Sequence, residues 1–140
     1  MPTTLHAYLG FPGNCAEAMR FYARTLGAEL QALLTHADTP GGNTMGPEYA
    51  NRVMHAHLVH KDFEFMAGDS PIGQDATMRG FMLTLGYDSP EEARRIFGLL
   101  AEGGQITMPP GETFWAQFFG MCVDRYGTPW GVNGGAKAMA

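Results

Sequence analysis

The sequence is poor in cysteine, in charged residues and in long apolar runs. Its two cysteines, Cys15 and Cys122, belong to no Cys-x-x-Cys pair, which favours two reduced thiols in a cytoplasmic protein. Lys and Arg total 9 without a basic run, and the formal net charge is −5, so we expect neither nucleic acid nor an anionic membrane as partner. The sequence offers no leader pattern and no bilayer-spanning stretch.

Several catalytic signatures are also missing. The sequence has no Gly-x-Ser-x-Gly elbow, no Gly-x-x-x-x-Gly-Lys phosphate loop and no Gly-x-Gly-x-x-Gly after a strand. The enzyme classes that depend on them therefore lack support. What remains is a chain of 140 residues, 45% hydrophobic and 16% charged, which fits one globular domain with a substantial core.

What the sequence does contain is an internal repeat. Residues 5–28 and 80–104 each read as a strand, a turn, a capped amphipathic helix and a glycine stop. One spacing separates three pairs of residues at the helix starts: Asn14 and Ser89, Glu17 and Glu92, Ala18 and Ala93. This self-similarity predicts a duplicated β-rich module, and two such halves can form a site between them.

The two helices are predicted over 14–26 and 90–102. Each has an apolar stripe with helical spacing, a capping box at its start and glycine after its end. The cap and stop residues are Asn14, Glu17 and Gly27 for the first helix, and Ser89, Pro90, Glu92, Gly103 and Gly104 for the second.

Strand-like sequence fills most of the remaining chain. The predicted strands are 4–10, 28–35, 53–60, 63–68, 80–86, 104–108, 115–123 and 128–133. Residues 36–52 read as a long loop, typical of a lid or an interface arm. The modules should span about 1–72 and 78–134, with a loosely ordered tail over 134–140.

Short motifs along the chain carry a family resemblance. They are 13–18, 21–22, 26–29, 54–56, Met66 with Asp69, 112–116, and 124–127 with Trp130. In this order the motifs resemble the vicinal oxygen chelate superfamily, which includes glyoxalase I, extradiol dioxygenases and bleomycin resistance proteins, and within it the PhnB-like family. The resemblance implies an α+β fold, in which two βαβββ modules form a curved eight-stranded mixed sheet around a cleft, usually in a homodimer.

The resemblance also implies where a divalent metal would bind. Superfamily enzymes take ligands from the first and fourth strands of each module, and the ion acts as a Lewis acid. Carried over by position, the first-module ligands fall on His6 and Glu64, whereas the second-module positions fall near Met82 and Gly131. Because a thioether and a glycine do not complete such a site, we expect an incomplete one.

Other histidines offer a competing metal site. Strand alternation puts His55 and His57 on one face, where a His-x-His pair can chelate an ion. His55 also matches a family motif, which makes it a weaker ligand candidate. For His57 and His60 we expect ordinary core, interface or solvated positions.

The cleft and its chemistry leave two hypotheses open. The expected cleft residues are Tyr8, Met66, Met82, Trp115 and Trp130. The catalytic candidates are His6, Glu64 and Glu112, and for Glu112 we favour a loop carboxylate bonded to backbone amides over a general base. The first hypothesis is a metal-free binder of a small molecule. The alternative is a glyoxalase-like isomerase or lyase that uses zinc, nickel, manganese or iron on a small oxygen-rich metabolite.

Cys15 invites one further expectation. It lies in the first turn of a predicted helix, where the helix dipole could lower the pKa of its thiol. A buried structural thiol remains the favoured interpretation.

The sequence also predicts no doubly wound nucleotide-binding sheet, so we do not expect methyl transfer of the kind some PhnB-like sequences are labelled with.

Overall fold

The computed structural model describes residues 2–40 and 43–138. The chain divides into two compact units, Met1–Ala76 and Thr77–Ala140, and each unit contains one helix and one four-stranded mixed sheet. The boundary falls in the connection left between the two predicted modules. Among the described residues, no helix has the length and apolar character needed to cross a membrane.

The first unit has the order βαβββ. Its elements are β1 (Tyr8–Phe11), α1 (Cys15–Leu26), β2 (Glu29–Thr35), β3 (Val53–Val59) and β4 (Glu64–Asp69). The strands are arranged β1-β4-β3-β2, with β1 parallel to β4 and the other pairs antiparallel. Within the predicted 36–52 loop, short 3-10 turns form at His36–Asp38 and Pro47–Tyr49, and Gly41 and Gly42 lie outside the described residues.

The second unit repeats this plan. Its elements are β5 (Leu83–Tyr87), α2 (Pro90–Ala101), β6 (Gln105–Gly111), β7 (Ala116–Val123) and β8 (Pro129–Ala136). The sheet order β5-β8-β7-β6 matches that of the first unit strand for strand, including the parallel first pair. The predicted α+β class, the two βαβββ modules and the internal repeat are therefore confirmed, and the eight strands form two four-stranded sheets, one in each unit.

Each helix covers one face of its own sheet. In the first unit the Tyr22 ring packs against Phe11 and Phe65, with ring centroids 6.4 Å and 6.2 Å apart. In the second unit a Cβ on Gly120 would lie 2.8 Å from the Phe97 ring, so only glycine lets α2 pack this closely. Full burial of each such side chain contributes roughly 1.5–3 kcal/mol. The helix of each unit leaves the opposite face of its sheet uncovered.

The two helix starts differ from each other and from the sequence prediction. Ser89 caps α2 as predicted, because its Oγ accepts a hydrogen bond from the backbone N–H of Glu92 at 3.1 Å. The capping box predicted for Asn14 is wrong: its side chain makes no cap hydrogen bond, and its backbone (φ −111°, ψ 24°) is not extended. Asp69 of β4 takes that role by accepting from the N–H of Cys15 at 3.0 Å.

Asp69 makes a second hydrogen bond that fixes its position beside α1. Its second carboxylate oxygen accepts a hydrogen bond from the N–H of Val53 at 2.8 Å. One side chain at the end of β4 thus ties the start of α1 to the start of β3. Local sequence patterns point only to residues at the start of α1 itself. Asp69 is 54 residues from Cys15 along the chain, and the sheet brings it to the start of the helix.

Several strand boundaries also differ from the prediction: β5 begins at Leu83 rather than residue 80, and β6 continues to Gly111 rather than residue 108. β1 begins at Tyr8 rather than residue 4, although Ala7 still accepts a hydrogen bond from Met66 N–H at 3.0 Å. β8 continues to Ala136, and Lys137 N–H then donates to Trp115 O at 2.8 Å. The predicted loose tail is therefore wrong over 134–136, while residues 139–140 lie outside the described residues.

Candidate functional site

Three polar side chains meet on the face of the first sheet that α1 leaves open. We call His6, His57 and Glu64 the His–Glu cluster. Nε2 of His6 lies 2.9 Å from Oε1 of Glu64, and Nε2 of His57 lies 3.4 Å from Oε2 of the same carboxylate. One carboxylate therefore faces two imidazoles, one through each oxygen.

Strand pairing and alternation produce this meeting. β3 and β4 pair with His57 opposite Met66, which places Glu64 one diagonal step from His57 on the same face. The hydrogen bond from Met66 N–H to Ala7 O extends the β1–β4 ladder, so His6 lies beside Glu64. Phe65 and Ala67, which alternate with these residues, are buried on the side of α1.

The His–Glu cluster is accessible to solvent and to a ligand. The side chains of His6, His57 and Glu64 are 25%, 28% and 36% exposed. A carboxylate within reach of two imidazoles forms charge-assisted hydrogen bonds when an imidazole is protonated, and it can exchange a proton with either ring. The arrangement can thus hold a polar ligand group or act as an acid–base pair.

Tyr8 and Met66 lie side by side next to this cluster. They are direct partners in the β1–β4 register. The Tyr8 hydroxyl donates to Met54 O at 3.0 Å, and a Cβ on Gly68 would lie 2.6 Å from that hydroxyl, so a glycine is needed there. Burial, with a smaller effect of Cys15, raises the pKa of Tyr8, which keeps the phenol protonated as a donor.

The corresponding face of the second unit is apolar. Met82 packs over Gly131, since a Cβ on Gly131 would lie 3.1 Å from the Met82 sulfur. The rings of Trp115 and Phe119 lie 5.2 Å apart, and the Trp115 indole donates to Asn133 at 2.8 Å. Of the five expected cleft residues, Tyr8 and Met66 belong to the first unit, and Met82 and Trp115 to the second.

Trp130, the fifth expected cleft residue, is placed in the core instead. It is 1% exposed, and alternation along β8 turns it to the face that α2 covers. Its indole N–H donates to Asp124 at 2.8 Å, and that carboxylate also accepts from the N–H groups of Tyr126 and Thr128. The family motif that contains Asp124 and Trp130 therefore forms a structural turn held by a buried carboxylate.

Glu112 is bonded differently from the sequence interpretation. Its carboxylate pairs with the Lys137 ammonium rather than with backbone amides. The side-chain hydrogen bond from Lys137 lowers the pKa of Glu112. Glu112 is therefore ionised at neutral pH, and it belongs to the second unit, whereas His6 and Glu64 belong to the first.

The donor set does not amount to a complete metal site. Across residues 2–40 and 43–138, no group of three or more His, Cys, Asp or Glu side chains is arranged to hold an ion. His6, His57 and Glu64 carry donor atoms of the right type, but their described positions do not form a group that could hold one ion, and zinc usually takes three or four protein donors. His55 lies 6.2 Å from His57 between ring centroids and does not complete the set.

The thiol of Cys15 is neither exposed nor activated. Its side chain is fully buried. Burial, followed by the nearby Asp69 carboxylate, raises the pKa of Cys15 to about 12. The expectation that the helix dipole could lower this pKa is wrong, because desolvation and the carboxylate that caps the same helix outweigh it.

His57 is the site residue that sequence reasoning missed. It was expected to be an ordinary core, interface or solvated residue, yet it contacts the same carboxylate as His6. The signal was available in the alternation of His55 and His57 on β3. Its meaning depended on the β3–β4 register, which short-range pattern analysis does not supply.

The site geometry can be set beside known proteins. The family described as Glyoxalase/Bleomycin resistance protein/Dioxygenase superfamily matches residues 4–132. The chain belongs to this superfamily. YjdN of Escherichia coli (strain K12) is 35% identical over 137 residues, covering 92% of this chain and 93% of YjdN.

Two solved structures show that this superfamily member has close structural relatives. Protein PA1353 from Pseudomonas aeruginosa is 41% identical, with a TM-score of 0.84 over 94% of this chain and 98% of that one. A Bacillus cereus protein named putative 3-demethylubiquinone-9 3-methyltransferase, PhnB protein, is 28% identical, with a TM-score of 0.80 over 94% and 99%. These likenesses support the PhnB-like resemblance within the superfamily.

Proposed function

We propose that this protein binds a small molecule on the open face of the first unit's sheet, through the His–Glu cluster and the neighbouring Tyr8 and Met66. The observation that carries this proposal is the Glu64 carboxylate between two imidazoles on an accessible surface. Binding sites combine apolar surface with a few placed polar groups. Tyr8 and Met66 supply the first, and the cluster supplies the second.

The incomplete donor set supports binding over metal catalysis of the family type. Protein purified without chelators or a polyhistidine tag should hold substoichiometric divalent metal and show negligible methylglyoxal–glutathione isomerisation. One tightly held zinc, nickel, manganese or iron ion per chain, lost with activity in His6→Ala or Glu64→Ala, would overturn this proposal.

The 2.9 Å contact between His6 and Glu64 favours a second candidate function. An imidazole paired with a carboxylate can move a proton, as an isomerase or lyase acting on a small oxygen-rich metabolite requires. This enzyme would show turnover that disappears in Glu64→Gln and His6→Ala while the fold stays intact. The binder would retain one ligand unchanged through repeated cycles.

Ligand capture tests the binding proposal directly. The protein is incubated with a small-molecule cell extract, separated by gel filtration and examined by mass spectrometry for retained compounds. Retention should fall in Glu64→Gln and persist in Glu29→Gln, because Glu29 is an exposed carboxylate on β2 of the same unit. Equal retention in both variants would sink the assignment of the site.

We also propose that the protein is a homodimer in the cytoplasm. The edge strand β6 is exposed along its whole length, and open edges are commonly covered by a partner. The 36–52 loop is the proposed dimer arm, and the two free, buried thiols fit a reducing compartment. Light scattering at micromolar concentration should give twice the chain mass, whereas a mass of 15.2 kDa would contradict the dimer.

A further inference from the structure

A cavity of about 520 Å³ lies in the first unit between strands β2 and β3 and the 36–52 loop. Leu34 and Met54 line it from the strands, and Pro40 and Met45 line it from the loop. We propose that this cavity binds the uncharged, apolar body of the ligand, and that the ligand carries a single hydroxyl or similar polar group. The inference rests on the proposed function, because it names the class of molecule for that site.

The apolar side chains that line the cavity are exposed to solvent. Leu34, Met45 and Met54 are 38%, 50% and 48% exposed. Large apolar side chains that converge on one cavity and remain exposed mark a place where something else is buried. Covering them gains roughly 25 cal/mol for each Å² removed from water. The two methionines can adjust their shape to a planar guest.

The polar side chains that line the cavity are two imidazoles and two hydroxyls, those of His36, His55, Thr39 and Thr44. No Lys, Arg, Asp or Glu is among its described lining residues. A charged ligand group would lose its hydration there without gaining an opposite charge, which is costly. A neutral hydroxyl can instead donate to or accept from an imidazole.

The two ends of the loop that lines the cavity are fixed by backbone hydrogen bonds. His36 N–H donates to Arg52 O and Ala37 N–H donates to Ala50 O, both at 3.1 Å, so the two ends of the loop are tied together. Near Met45, the Asn43 side chain accepts from Met45 N–H at 2.9 Å. A site organised before binding loses less freedom when the ligand arrives.

His55 connects this cavity with the His–Glu cluster. It lines the cavity, and its ring lies 6.2 Å from His57 and 6.4 Å from Tyr8 between centroids. The apolar body in the cavity therefore directs the polar end of the ligand toward His55 and the cluster beyond it. A bicyclic aromatic molecule fits the size range of such pockets, roughly 300–1,000 Å³.

The test uses 2-naphthol, which is flat, uncharged near neutral pH and bears one hydroxyl. Calorimetry should show binding, and naphthalene-2-sulfonate and 2-naphthylmethylammonium should bind at least about tenfold more weakly, since each brings a charge. Met54→Asp should weaken 2-naphthol binding by about tenfold or more. The matched control is Met108→Asp, an exposed methionine on β6 of the other unit, which should change affinity by less than about twofold.

A second pair of variants guards against misfolding of Met54→Asp. Met45→Trp fills the cavity from the loop and should also displace 2-naphthol, whereas Met108→Trp should not. Failure of the wild-type protein to bind 2-naphthol, or equal affinity in Met54→Asp, Met45→Trp and wild type, overturns the inference.

The two proposals fail in different ways. If Glu64→Gln weakens 2-naphthol binding and the cavity variants do not, the cavity assignment is wrong and the cluster site stands. If the cavity variants weaken binding while Glu64→Gln and His57→Ala leave it unchanged, the cavity assignment holds and the role of the cluster in this binding is refuted.

Discussion

The two units share one framework and differ in what they place on it. Both have the order βαβββ and the same strand arrangement. On the face away from the helix, however, the first unit carries His6, His57 and Glu64, whereas the second packs Met82 over Gly131. Duplication thus fixed the positions of the side chains, and a few substitutions at alternating strand positions set the chemistry of each face.

The two units also differ in the hydrogen bonds of one aspartate in each. Asp124 in the second unit is 3% exposed and accepts three hydrogen bonds, from the N–H groups of Tyr126 and Thr128 and from the Trp130 indole. Asp69 in the first unit is partly buried and accepts from the N–H groups of Cys15 and Val53. Each aspartate ties neighbouring segments of its unit together, but Asp124 satisfies more buried donors.

The largest expected effect tests this difference in the aspartates. Asp124→Ala should lower the free energy of unfolding by about 3–5 kcal/mol, because it removes the acceptor of two buried donors and one part-buried donor. Asp69→Ala should cost about 2 kcal/mol, since its surroundings are wetter and it serves two donors. Urea unfolding followed by circular dichroism measures both.

Asp62→Ala serves as the control for this pair, because the Asp62 side chain is 72% exposed. Its cost should stay within about 0.5 kcal/mol. An equal or reversed order for Asp124 and Asp69 would break the comparison between the units.

Helix capping gives a smaller and sharper test. Ser89→Ala should cost about 1 kcal/mol because it removes the acceptor for Glu92 N–H. Asn14→Ala should cost less than about 0.5 kcal/mol, since Asn14 makes no cap hydrogen bond and its buried Oδ1 has no hydrogen-bond partner. Thermal or urea unfolding of the two variants decides the matter, and a larger cost for Asn14→Ala would refute the capping role of Asp69.

The thiols give the smallest effect at neutral pH. Burial, followed by Asp69, raises the pKa of Cys15 to about 12, and burial, followed by Asp124, raises that of Cys122 to about 11. Because the folded state holds these protons more tightly, their stabilising contribution is complete below the ordinary value of 9.0 and falls as pH rises toward 11 and 12. Cys122→Ala should reduce the loss of stability between pH 9.0 and about 11.

Alkylation checks the thiols independently. Iodoacetamide near pH 8 should leave both thiols of the folded protein unmodified and label both after unfolding. Cys15→Ser should keep ligand binding within a few-fold of wild type. Rapid labelling of Cys15 in the folded protein would show that the thiol is activated after all.

Much of the fold could be read from local sequence. The helix stripes, the Ser89 cap and the glycine at Gly27, which adopts φ 67°, are all set by near neighbours, and the structure confirms them. Resemblance placed His6 and Glu64 in one module as ligand candidates, and the two side chains lie 2.9 Å apart. Whether they bind a metal or a ligand stays a prediction.

Tertiary structure decided the rest. The cap on α1 comes from Asp69, the contact between His57 and Glu64 depends on strand register, and Trp130 turned inward to meet Asp124. By itself the sequence determined the elements, their repeat and the residues available for chemistry, because periodicity, caps and turns act over a few residues. Only the folded sheets decided which distant side chains meet, because hydrogen-bond register and burial depend on partners far away along the chain.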